Sequence, residues 1–163
     1  DWRPVDWLTF DYSAAYLDSQ YDQFTNGPCY FGRVPTNPVE GTCDLSGNAL
    51  PNASEWRTNL GVQFESAMAG GRAFFRTDWF YSSDSLVDGS LDPRSRQDAY
   101  SLFSARLGWG NERFRVTLWG ENLGDETIMN ASAPQTLFGG VDGGLQRFLN
   151  EPQTYGLTFE ASF

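Results

Sequence analysis

Six stretches of this chain alternate, residue by residue, between apolar and polar side chains, and none repeats at helical spacing. A period of two fits a β-strand with one dry and one wet face. In the first, Leu8, Phe10, Tyr12, Ala14 and Tyr16 oppose Thr9, Asp11, Ser13 and Ala15. In the second, Thr58, Leu60, Val62 and Phe64 oppose Arg57, Asn59, Gly61, Gln63 and Glu65. The third sets Ala73, Phe75, Thr77, Trp79 and Tyr81 against Arg72, Arg76 and Asp78, with Phe74 and Phe80 breaking the polar side. The fourth sets Phe103, Ala105, Leu107 and Trp109 against Ser104, Arg106 and Gly108. The fifth sets Phe114, Val116 and Leu118 against Arg113, Arg115 and Thr117, and Trp119 and Glu121 continue the polar register. The last sets Tyr155, Leu157, Phe159, Ala161 and Phe163 against Thr154, Gly156, Thr158, Glu160 and Ser162. Each runs for about 9–13 residues, the length that crosses a bilayer at a tilt. The expected fold is all-β: an antiparallel up-and-down meander of about six long strands, part of a larger transmembrane β-barrel.

The connections sort by length. Long ones, at about 18–54, 84–98 and 123–152, alternate with short turns around Ala69-Gly70-Gly71 and at Asn111-Glu112. Outer-membrane barrels sort them this way, with long loops outside and short periplasmic turns. On that reading one face meets lipid, and a polar wall of Arg57, Arg76, Asp78, Arg106, Arg113, Arg115 and Glu160 lines the lumen. Such a wall can pass substrate, dock a plug, or simply pair its own charges across strands. Trp56, Tyr81, Trp109, Tyr155 and Phe163 stand at strand ends, where aromatic girdles sit. "LWGENLGDET" (118–127) is where the fifth strand leaves the membrane, since Asn-Leu-Gly-Asp is turn chemistry.

Composition narrows the function. The chain has 163 residues and a net charge of −10; all 11 basic residues are Arg, and there is no His. The acidity argues against a nucleic-acid partner. Without His there is no His-based triad or His metal site, and no enzyme, metal or cofactor is expected. Aromatic content is 16% although the mean hydropathy is −0.46, which points to exposed aromatic faces or alternating strands. No charged stretch followed by an apolar run opens the chain, so no leader is expected. No run of about 18 apolar residues crosses a membrane as a helix. Two cysteines, Cys29 and Cys43, share one polar loop; a disulfide in an oxidising compartment is expected over a pair of free thiols. The glycines of "FGGVDGG" (138–144) lack the strand–loop–helix setting of a phosphate cradle and are expected to form a flexible loop. Asn52-Ala53-Ser54 and Asn130-Ala131-Ser132 fit the glycosylation pattern, which carries no weight in a bacterial barrel. Candidate ligand contacts in the loops are Tyr30, Phe31, Arg33, Phe138, Arg147 and Phe148, against the alternative that they pack loop on loop.

Four ordered stretches, "LPNASEWRTNLGVQF" (50–64), "DAYSLFSARLGW" (98–109), "VTLWGENLGDE" (116–126) and "PQTYGLTFEASF" (152–163), together resemble the C-terminal end of a TonB-dependent outer-membrane receptor. The resemblance implies a Gram-negative outer-membrane transporter that imports a scarce nutrient such as a siderophore, cobalamin or a sugar with energy from TonB. It also implies partners: a plug domain, further barrel strands, TonB itself, the lipid bilayer and the barrel-assembly machinery. That machinery would read Gly156, Phe159 and Phe163, with the C-terminus periplasmic and the long loops extracellular. The resemblance implies a barrel of about 22 strands, which six strands cannot enclose, so residues 1–163 are expected to be a single segment of a longer receptor. A porin or adhesin barrel, or a soluble β-sandwich binding module, are the competing readings.

Overall fold

The alternating stretches pair edge to edge. The computed structural model describes residues 1–134 and 143–162, and it builds one seven-stranded antiparallel sheet. Its strands are β1 (Trp2–Val5), β2 (Leu8–Tyr16), β3 (Trp56–Met68), β4 (Gly71–Ser82), β7 (Tyr100–Gly110), β8 (Phe114–Glu121) and β11 (Thr154–Ala161), adjacent in that order. Two short ladders lie in the connections: β5 (Ser85–Leu86) with β6 (Arg96–Gln97), and β9 (Met129–Pro134) with β10 (Leu145–Leu149). The seventh strand, β1, is an addition to the six expected. It has four residues including Pro4 and no alternation, so only its pairing with β2 reveals it.

Register decides what each face is made of. Leu8 lies opposite Phe64, Phe64 opposite Phe75, Phe75 opposite Leu107, Leu107 opposite Leu118, and Leu118 opposite Leu157. Directly opposed residues share a face, so one apolar row crosses six strands. The neighbouring row, on the other face, reads Thr9, Gln63, Arg76, Arg106, Trp119, Gly156. The apolar face is uncovered: Leu107 is 54%, Leu118 53% and Leu157 69% exposed. A soluble sandwich would lay a second sheet over it. Among the described residues the only other ladders are the two small ones in the connections.

The short turns are built for their job. Ala69 and Gly70 both have positive φ (51° and 73°), as a two-residue type I′ hairpin requires. The Asn111 side-chain oxygen accepts hydrogen bonds from the amides of Arg113 and Phe114, both 2.9 Å, closing the β7–β8 turn. At the other end three long connections span residues 17–55, 83–99 and 122–153. The strand exit at Asn122 is a clamp. Asn122 has φ 49°; its side chain accepts from the Glu126 amide (2.9 Å) and donates to the carbonyls of Glu126 (2.9 Å) and Glu151 (3.2 Å). It thereby ties the start of the third connection to its end.

The fully buried apolar side chains sit in these connections rather than on the long strands. Cys43, Leu45 and Leu91 form a small core, with Tyr21, Phe24, Cys29 and Leu86 packed on it. The Cys29–Cys43 disulfide lies in this core, so the first connection is stapled and packs on the second. Gly27 exchanges both backbone hydrogen bonds with Cys43 at 2.9 Å, and a Cβ there would lie 2.5 Å from Leu45 Cδ1. The "FGGVDGG" segment falls mostly outside the described residues.

Replacing both cysteines, Cys29→Ser with Cys43→Ser, removes a constraint worth up to about 3 kcal/mol for a loop of this size. In the folded protein, trypsin is expected to cut after Arg33 up to about 100-fold faster, while protease resistance of the strands is unchanged. Equal cutting rates would show that packing alone holds the loop.

Candidate functional site

Two regions carry chemistry: the polar face of the sheet and the cap formed by the long connections.

On the polar face the centre is Arg76. Its Nε donates to Asp78 Oδ1 at 2.9 Å, two residues along β4. Its Nη2 reaches across β3 to Asp11 Oδ1 on β2, at 3.0 Å. That reach passes over Gly61, which stands between Asp11 and Asp78 in the register. A Cβ at Gly61 would lie 2.5 Å from both Arg76 Nη2 and Asp11 Oδ1. Glycine is therefore a condition of the three-strand ion cluster. Further along the face, Arg72 pairs with Glu65 (3.4 Å), Arg106 with Glu121 (3.8 Å) and Arg115 with Glu160 (4.0 Å). These pairs are half-exposed or more at their arginines, so each contributes at most about 1 kcal/mol.

Two aromatics of this face also answer to glycines. Phe74 lies over Gly108, and Trp119 lies over Gly156 with its Nε1 donating to Thr158 Oγ1 at 3.1 Å. Aromatic rings over facing glycines fill what would be gaps in the sheet. Phe80, the other break in the polar pattern, packs on Tyr100 with ring centroids 5.9 Å apart.

Of the seven expected wall residues, Arg76 and Asp78 form one cluster, and Arg106, Arg115 and Glu160 line a groove of about 570 Å³ beside it. Arg57 stands at the long-connection end and donates to the Asn52 carbonyl at 3.2 Å. Arg113 falls in the β7–β8 turn, just outside β8. Sequence reading missed Asp11 as a wall residue and Gly61 as its gap. The signal was there only in register: Asp11, Gly61 and Asp78 stand opposite one another on three strands, with Arg76 two residues from Asp78 on the same face.

In the cap, Arg33 lies over the Tyr30 ring (5.7 Å to its centroid) and donates to the Asp44 carbonyl at 3.0 Å. Arg147 donates to the Arg94 carbonyl at 3.3 Å. Both arginines are thus tied within the cap. Phe148 is half exposed on β10, and Phe138 lies outside the described residues. Tyr30 and Phe31 meet residues no sequence pattern had singled out. With Ser90, Asp92, Arg94, Pro134 and Leu145 they line a cleft of about 280 Å³ between the three connections. Asp92 is buried; its carboxylate accepts from Arg94 Nε (3.1 Å), Arg94 Nη2 (2.6 Å) and the Arg94 amide (2.9 Å). Those side-chain hydrogen bonds hold Asp92 below the ordinary carboxylate range, against burial, which pushes it up. Asp44 is likewise lowered, first by its hydrogen bond with Ser46.

Charge separates the two regions. Five arginines (57, 72, 76, 106 and 115) match five carboxylates (Asp11, Glu65, Asp78, Glu121 and Glu160) on the polar face. The three long connections carry thirteen carboxylates against four arginines.

An open apolar face, a charge-balanced polar face, and connections sorted by length define a piece of wall from a transmembrane β-barrel. Residues 1–123 match a family model described as TonB dependent receptor-like, beta-barrel, and the chain belongs to that family. The crystal structure of the ferric yersiniabactin uptake receptor FyuA from Yersinia pestis is similar over 99% of this chain, with a TM-score of 0.70 at 15% identity. The likeness is one of fold. The chain spans 22% of that receptor's length.

Two expectations follow. Gly61→Ala should break the Asp11–Arg76–Asp78 cluster and cost about 1–3 kcal/mol, read as a lower denaturant midpoint of the refolded receptor, while Asn59→Ala on the same face costs little. Equal midpoints would show that the cluster carries no stability. For Asp92, a lowered folded value means its contribution is present above the ordinary carboxylate range and lost only as pH falls through that lowered value. Amide protection of residues 88–95 should therefore hold from about pH 7 to about pH 5 and fall only below about pH 4; loss already near pH 5 would contradict the Asp92–Arg94 assignment.

Proposed function

We propose that this chain supplies wall strands and loop cap to an active transporter of the Gram-negative outer membrane, which imports a scarce nutrient with energy delivered through TonB. The plug domain, the other strands and the TonB contact belong to the rest of that receptor. The observation that carries the reading is the uncovered apolar row from Leu8 to Leu157, joined with the family match over residues 1–123. Exposed to water, such a face would aggregate; against lipid it is satisfied, and the backbone ladders join its strands continuously from β1 to β11. The 13 residues of β3 span about 43 Å along the strand, enough at a tilt of about 40° to cover the roughly 25 Å apolar band of an outer-membrane barrel.

In this reading the polar face looks into the lumen, where the plug sits against Arg76 and its neighbours. The long connections stand outside the cell, the short turns lie in the periplasm, and the assembly signal comprises Gly156 and Phe159 on β11 together with Phe163, which lies outside the described residues. Gly156 also has the structural duty described above, so its replacement would disturb Trp119 as well as assembly. The ligand classes are those of nutrient uptake: a metal chelate such as the one named for the Yersinia receptor, a cobalamin or a sugar. A porin is the second reading; it needs no plug and no TonB.

The test is made in cells producing the full-length receptor. An epitope inserted at Val39, which is 95% exposed, should be labelled on intact cells, and one at Glu112 in the β7–β8 turn only after permeabilisation. Growth that depends on the receptor should disappear when TonB is deleted. Receptor-dependent growth that persists without TonB would replace the transporter with the porin.

A further inference from the structure

We propose that the cleft between the three long connections is a subsite for an uncharged, ring-bearing part of the ligand, and that the cap disfavours anionic ligands. The proposal deepens the transport reading and rests on it for the cap being the ligand's first contact.

The cleft has the shape and lining for a ring. Its volume of about 280 Å³ is at the small end of ligand pockets, so it takes one or two fused rings and leaves the rest of a ligand outside. Tyr30 and Phe31 supply aromatic surface, and Pro134 and Leu145 supply aliphatic surface. This lining is held in place before a ligand arrives. Tyr30 follows the disulfide residue Cys29 and lies under the Arg33 guanidinium. Phe31 packs against Gly143, where a Cβ would collide with its ring. A pre-positioned aromatic wall loses little side-chain freedom on binding.

The polar side of the cleft offers no net charge. Asp92 and Arg94 are spent on each other, and the remaining Arg94 Nη1 donates to the Gly143 carbonyl at 2.7 Å. An anionic group would have to detach Arg94 from both. It finds no help nearby. Arg33 is held by Tyr30 and Asp44, Arg96 by Asp84 (2.8 Å) and Asp98 (3.7 Å), and Arg147 by the Arg94 carbonyl. All four arginines of the connections are therefore engaged, in a cap with thirteen carboxylates. The field there is negative, and it repels anions over about a Debye length.

Two probes with the same rings separate these terms: 2-naphthol, neutral at pH 7, and 2-naphthalenesulfonate, which carries a negative charge. Binding of each to the purified full-length receptor is measured by saturation-transfer NMR in one detergent. Naphthol should bind at least about ten-fold more tightly than the sulfonate, and the gap should narrow in about 1 M salt as the field is screened. Phe31→Ala should weaken naphthol at least about five-fold, Phe31→Tyr should restore it, and Val39→Ala, outside the cleft, should leave it unchanged. Partition into the micelle is common to all variants and cancels between them; between the two probes it is subtracted using receptor-free micelles. Equal affinity for both probes, no naphthol binding, or a Phe31→Ala receptor that binds as well as the parent would each overturn the proposal. The readout needs no TonB. Naphthol binding in a receptor whose growth phenotype ignores TonB would sink transport and leave the subsite standing.

Discussion

Direct cross-strand opposition is the constraint on which the rest depends. A strand fixes which residues share a face, but only register fixes which residues become neighbours across strands. Here Leu8, Phe64, Phe75, Leu107, Leu118 and Leu157 fall into one row. A slip of one residue in any strand would put a polar side chain into that row and a leucine or phenylalanine into the ion clusters behind it. The same register that makes the apolar face continuous also sets Gly61 between Asp11 and Asp78, Gly108 under Phe74, and Gly156 under Trp119. The two faces are therefore not independent designs. Small residues on the polar face sit where a neighbouring strand sends a large or charged side chain across.

A sheet of this kind has no interior of its own. Its apolar side chains point away from the chain, and the tightly buried apolar atoms lie in the connections, around the Cys29–Cys43 bridge, Leu45 and Leu91. In a soluble domain the core organises the strands and the loops hang from it. Here the backbone ladder organises the strands, and the loops must build a separate small core to stand up at all. So small a cluster buries too little apolar area to order some forty residues. The disulfide, the Asn122 clamp and the Asp92–Arg94 pair supply the constraints that packing does not.

The faces and lengths of β2, β3, β4, β7, β8 and β11 were legible in the sequence because period-two alternation is a local property, written within each strand. The pair Cys29–Cys43 was legible for the same reason: two cysteines in one short polar loop. What could not be read is everything that depends on who stands opposite whom. Asp11 looked like one more polar residue of a first strand. Phe74 and Phe80 looked like flaws in the alternation, although one covers a facing glycine and the other meets Tyr100. β1 carries a proline and no alternation, so its pairing with β2 is its only signature. The cleft was half visible, through Tyr30 and Phe31, but its other walls come from two further connections more than fifty residues away.

The segregation of charge follows from what each region faces. Inside a barrel wall, an unmatched charge is costly to keep away from bulk water, and on the polar face Arg72, Arg76, Arg106 and Arg115 each pair with a carboxylate while Arg57 is held by the Asn52 carbonyl, so the region is formally neutral. The connections stand in solvent, where an excess of carboxylates is tolerated even as the loops pack on one another. The cap nevertheless engages all four of its arginines, two of them through backbone carbonyls rather than carboxylates. Its arginines are therefore structural ties, and its surplus of negative charge is left to act outward. The sheet thus holds position with matched charge and exposed apolar rows, and the cap above it sets the electrostatic character of what can approach.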